Sequence, residues 1–142
     1  MPTDAETQQW ARANKASWEL TPLVEMHRGE RVQVGFELEL YARIPAGLAA
    51  EDEGPLEALW IRLREIAESL PATLAEAARI EVEPFEPADR LRPETNFAPE
   101  VLLKARLFHS SDYFAPVDEA DRRQVKPVED RLSALGLRQR SW

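Results

Sequence analysis

Two histidines and a row of carboxylates hold most of the capacity for chemistry in this chain. Glu25 and His27 stand two residues apart, as do Glu37 and Glu39, and a spacing of two within a strand puts side chains on one face. An imidazole among carboxylates suits a divalent cation or general acid–base work. The same four side chains also read as a solvated face whose charge Arg31 and Arg43 balance, and their spacing matches no known ligand pattern. The expectation is no catalytic residue, no metal ligand and no cofactor.

His109-Ser110-Ser111-Asp112 contains the residue types of a hydrolytic triad. Neighbours in sequence do not have the geometry that a triad needs. Ser and Asp at a strand end hydrogen-bond their own backbone, so the run reads as a turn. His109 continues the inward set of its strand while His27 points outward, so the two diverge. Five scattered glycines make no phosphate loop, and no basic patch alternates with aromatics.

Contact chemistry is the remaining option. The proline-rich segment 84–99 gathers Phe85, Arg90, Arg92, Asn96 and Phe97, and aromatic and arginine anchors dominate protein contact surfaces. Loops this long without structure of their own are uncommon and tend to be functional or disordered. Its prolines would equally serve to stiffen a crossing connection.

These residues must be held by a sheet. Val32, Val34, Phe36, Leu38, Leu40, Ala42 and Ile44 alternate with Arg31, Gln33, Gly35, Glu37, Glu39, Tyr41 and Arg43, the pattern of a long strand with one dry and one wet face. Strands of parallel sheets are buried on both faces and lose that alternation, so the sheet is antiparallel and open on one side. Leu23 to His27 reads as its hairpin partner. A three-residue loop centred on Gly29 pairs Met26 with Val32 and Val24 with Val34, leaving Glu25 and His27 on the wet face beside Gln33 and Arg31.

The other elements follow from capping and periodicity. Thr3 and Glu6 have capping-box spacing, and Ala5 to Trp18 reads as an N-terminal helix carrying Trp10 and Trp18, stopped by Thr21-Pro22 within residues 1–20. After an acidic run, Glu51-Asp52-Glu53, Pro55 suits a first helical turn, and Leu56, Leu59, Trp60, Leu63, Ile66, Ala67 and Leu70 form one apolar stripe, with Arg64 and Glu68 a turn apart outside it. Pro71 ends that helix, and 72–78 reads as a further short helical piece.

Ile80 and Val82 alternate with Glu81 and Glu83, and Val101, Leu103, Ala105 and Leu107 with Lys104 and Arg106. Pairing these two strands sets acids against bases. Asp118 can cap a last helix whose stripe is Val125, Val128, Leu132 and Leu135, kinked or restarted at Pro127 and closed by Gly136-Leu137. The tail 138–142 is expected to tuck onto the core. The fold class is α+β: about four antiparallel strands in two hairpins with helices on one face, in the order α-ββ-α-ββ-α, one domain over 1–142. That order resembles several small α+β families, among them the acidic secretion chaperones, in element order and in no motif.

Composition limits the partners. Net charge is −8, with 13 acids against 7 bases in residues 1–71 and 13 against 11 in 72–142. This field repels phosphate backbones and anionic lipid, which argues against nucleic acid and membrane and for a basic protein. It also serves solubility alone. There is no cysteine, hence no disulfide or thiolate chemistry. Residues 3–19 lack the apolar run of a cleavable signal, no stretch has the length of a membrane span, and a cytoplasmic setting is expected.

The preferred reading is a non-catalytic protein-binding role: an inhibitor, an immunity-type antagonist or a chaperone-like adaptor. The alternative is a small-molecule- or metal-binding protein or enzyme using the carboxylate and histidine cluster, with His27 and Glu37 at its centre. A structural homodimer is the third.

Overall fold

The computed structural model describes residues 2–45, 47, 53–71, 80–82, 91–92, 100–107 and 119–140. Outside them lie Arg90 and Phe97, the expected helical piece 72–78, the His109–Asp112 run and the cap Asp118.

Helix α1 (Asp4–Ala13) begins as its sequence requires, with the Thr3 side chain accepting from the Glu6 backbone N–H at 3.1 Å. It ends five residues before the expected Trp18. Lys15 turns left-handed at φ 48°, its N–H bonds the Arg12 carbonyl at 3.3 Å, and the Ala16 N–H bonds the Ala11 carbonyl at 2.8 Å. That pair of bonds is a Schellman closure. Strand β1 (Ser17–His27) starts directly after it, so Trp18 is a strand residue, buried to 1% exposure opposite Leu40. Trp10 stays on the helix, and Trp18 belongs instead to the strand alternation Trp18, Leu20, Pro22.

Strand β2 (Glu30–Arg43) returns from a two-residue turn, with Arg28 at φ 50° and Gly29 at φ 80°. Two left-handed residues match the twist of a hairpin. The three-residue loop is thereby corrected: Met26 faces Arg31, Val24 faces Gln33, Glu25 faces Val32 and His27 faces Glu30. A bulge at Leu23/Val24 leaves Val34 without an opposite number and restores Leu23 to Gly35, Pro22 to Phe36 and Leu20 to Leu38. One extra residue thus reconciles a tight turn with a fixed core face.

Helix α2 (Glu53–Glu68) buries its stripe as its periodicity demands, and Arg64 bonds Glu68 at 2.8 Å on the outside. Strands β3 (Ile80–Val82), β4 (Leu91–Arg92) and β5 (Glu100–Leu107) follow, then helix α3 (Glu119–Ala134), which runs through Pro127. Strand β6 (Arg138–Gln139) ends the described chain. The sheet order is β3-β5-β2-β1-β6, with β4 also on β5.

All pairings are antiparallel except β6 on β1, so the sheet is mixed but mostly antiparallel in an α+β fold. β3 pairs with β5 as expected, Glu81 opposite Arg106. The order α-ββ-α-ββ-α needs two corrections. Two residues of the segment 84–99 join the sheet as β4, and the tail adds β6.

The helices share one core with one face of the sheet. Leu38, Leu40, Ala42, Leu103 and Ala105 meet Leu56, Leu63 and Ala67 of α2, Ala11 of α1, and Val128 and Leu132 of α3. Arg131 clamps Asp4 with two bonds, at 2.7 and 3.1 Å, which ties α3 to the start of α1. The opposite face is not uniformly wet. Tyr41, Leu102 and Glu100 are buried there, at 1%, 0% and 6% exposure, and Arg140 of the tail covers Tyr41 and bonds Glu100.

Candidate functional site

The far face of the sheet, away from the helices, has two regions. At one end β1 and β2 run past the rest of the sheet as an arm. Pairing with β5 begins at Phe36, and β6 covers only Ser17 and Trp18 of β1. From Leu20 to Met26 the outer edge of β1 has no strand partner among the described residues, and Glu30 to Gly35 lie beyond β5. Pro22 suits such an edge, where a missing N–H costs no ladder bond. On the arm's helix-side face, Val24 and Met26 are exposed at 37% and 61%.

At the other end lies a polar network centred on Tyr41. The Tyr41 hydroxyl donates to the Glu39 carboxylate, two residues along the same face of β2. Arg140 places its guanidinium 3.6 Å from the centroid of the Tyr41 ring, donates from Nε to Ser17 Oγ at 2.9 Å, and bonds the Glu100 carboxylate. Its position is set by the tail ladder, in which the Arg138 N–H bonds the Ala16 carbonyl at 3.1 Å and the Arg140 N–H bonds the Trp18 carbonyl at 2.9 Å. The arrangement holds a cation over an aromatic face, a geometry that strengthens when desolvated.

The candidate residues from the sequence do not form one cluster. Glu25 and His27 sit on the arm, both half-buried. Glu37 stands opposite Thr21, four residues from Glu25 along β1 or about 13 Å of strand, and His27 is about 20 Å away. Glu37 lies 3.8 Å from Lys104, and Glu39 belongs to the tyrosine network. Among the described residues no three histidine, aspartate or glutamate side chains come together as a metal-binding group. Arg92 takes a strand position beside Glu100.

Tyr41, Glu100 and Arg140 were missed by reasoning from the sequence. The signal lay in Arg138 and Arg140, an alternating pair just after the Gly136 stop that has the form of a short strand with arginine on one face.

A separate cleft of about 50 Å³ lies where the three helices meet, lined among others by Thr7, Arg62, Ser69 and Arg131. Its arginines are engaged: Arg131 with Asp4, and Arg62 with Glu65 at 3.2 Å and with the Trp10 ring at 5.4 Å. No helix among the described residues is long and apolar enough to cross a membrane. No family model matches this chain, and no curated protein or solved structure matches it.

Proposed function

We propose that the chain is a non-catalytic protein-binding module that engages its partner through the β1–β2 arm, in the manner of an inhibitor, an immunity-type antagonist or a chaperone-like adaptor. One observation carries this reading. Met26 and Val24 are exposed side by side on a strand that extends past the sheet, and clustered exposed apolar side chains on a strand edge are what a partner covers. Main-chain groups of the β1 edge would add hydrogen bonds to the apolar anchor, as in recognition by strand addition. The acidic first half, which includes Glu25, Glu37 and Glu39, would speed encounter with a basic protein.

The test compares the parent chain with a Val24→Glu/Met26→Glu variant as bait in a native lysate at low salt, with Ile61→Glu on α2, also exposed at 43%, as the control. A protein held by the parent and by the control but lost with the arm variant supports the reading. Binding that ignores the arm overturns it. Sedimentation of the same three proteins distinguishes a second copy of the chain from a different partner.

A further inference from the structure

The Glu100 end of the far face carries an imbalance of charge. Arg43 and Glu100 stand directly opposite each other in the β2–β5 ladder, a placement that sets their Cβ atoms about 5 Å apart and normally yields an ion pair. They do not pair. The Glu100 side chain is only 8% exposed and is bonded to Arg140, which also holds Ser17 and covers the Tyr41 ring.

Arg43 is left half-buried, and its Nε is sealed from solvent without a hydrogen-bond partner. A buried cationic donor with nothing to bond is costly, and native structures keep few of them. Register adds Arg92 at the position beside Glu100 on the side away from Arg43. One carboxylate therefore stands among three arginine positions, in a chain whose net charge is −8. Glu39, the nearest acid on this face of β2, is four residues away, about 13 Å along the strand, and accepts from Tyr41.

We propose that Arg43 and Arg140 form a subsite for a small oxyanion, the carboxylate or phosphate group of a small molecule, at the Glu100 end of the far face. Guanidinium groups present donors in a planar fork that matches the oxygens of either group. Arg140 is already oriented by Tyr41, Ser17 and Glu100, which lowers the entropy lost on binding. Arg43 supplies a second guanidinium, half-buried and not committed to Glu100. The subsite is independent of the protein-binding reading, since the arm lies at the opposite end of β2.

The experiment is calorimetric titration and thermal unfolding of the full chain with inorganic phosphate and, separately, with acetate, each against chloride at matched ionic strength. At least one oxyanion should bind and raise the unfolding midpoint beyond chloride, phosphate alone marking a tetrahedral group and acetate a carboxylate. Arg43→Gln should leave the anion-free midpoint unchanged or higher, because its buried Nε has no bond to lose, and should weaken the dissociation constant about 10-fold or more, as expected for a charged hydrogen bond. Arg43→Lys, which keeps the charge and loses the fork, should weaken it less, and Arg31→Gln on the arm should leave it unchanged. The proposal is overturned if neither oxyanion exceeds chloride, or if Arg43→Gln and Arg43→Lys both bind as the parent does.

Discussion

Arg140 lies over Tyr41, its guanidinium 3.6 Å from the ring centroid, and so fastens the end of the described chain to the turn-distal end of the longest strand. The contact explains why a face read as wet is closed at one end. Tyr41, opposite the buried Leu102 across β2 and β5, lies beneath a cation that is itself held by Ser17 and Glu100.

Removing that cation should be expensive. Arg140→Ala leaves the Glu100 carboxylate, with its side chain 8% exposed, buried without its partner, and we expect a loss of about 3 kcal/mol in chemical denaturation. Adding Glu100→Gln to Arg140→Ala should recover part of the loss, because a neutral amide is cheaper to bury than an orphaned charge. A loss below about 0.5 kcal/mol would mean that the tail pairs with β1 without holding the far face.

The turn offers a sharper check on register. Arg28 occupies a left-handed position at φ 50° beside Gly29 at φ 80°, and asparagine tolerates that region better than arginine. Arg28→Asn should therefore stabilise the protein by roughly 0.5–1 kcal/mol, read from the denaturation midpoint. In a three-residue loop centred on Gly29 the same change would have no such benefit.

Helix ends follow the same physics with different residues. Gly136, at φ 88°, closes α3 by the same two bonds that Lys15 makes possible at the end of α1. Lys15→Gly should stabilise by up to about 1 kcal/mol, since glycine adopts the left-handed region without steric cost. Gly136→Ala should destabilise by more than that, because a Cβ there would also come within 3.3 Å of the Gln8 backbone on α1. Thermal unfolding of the two variants decides both signs.

That contrast also shows why one boundary was legible in the sequence and the other was not. A glycine after an apolar stripe is a stop written in residue type, whereas Lys15 takes up the same backbone under the pull of Trp18 into the core. The α2 stripe and the alternation from Phe36 to Ala42 were readable because burial on one face leaves a period in the sequence. The bulge at Val34 was not, since the alternation in the sequence runs on unbroken through it while the extra residue sets Val32 opposite Glu25 and Arg31 opposite Met26. Of the candidate site, the sequence placed Glu37 and Glu39 on the far face but could not show that Arg140 covers Tyr41 beside them, because that depends on a tail folding back from residue 140.

The clamp between α1 and α3 predicts a dependence on pH. Hydrogen bonding to Arg131, more than Coulombic attraction to it, holds the Asp4 carboxyl below its ordinary value against a smaller opposing effect of burial. A folded-state value lower than the unfolded one stabilises the protein above the unfolded value, and that contribution disappears as pH falls through the folded one. Asp4→Asn should therefore unfold at a lower temperature than the parent at neutral pH, with the gap narrowing below about pH 4, where the carboxyl of the unfolded chain takes up its proton, and closing as the lower folded-state value is passed. Asp4 is largely exposed, at 62% for its side chain, so the gap should also shrink with added salt. Arg131→Gln should show the same loss at neutral pH, and the double variant should lose little beyond either single change, because the two side chains act through one bond pair. A gap that stays constant from neutral pH down to pH 2 would assign the role of Asp4 to something other than its charge, such as packing at the first turn of α1.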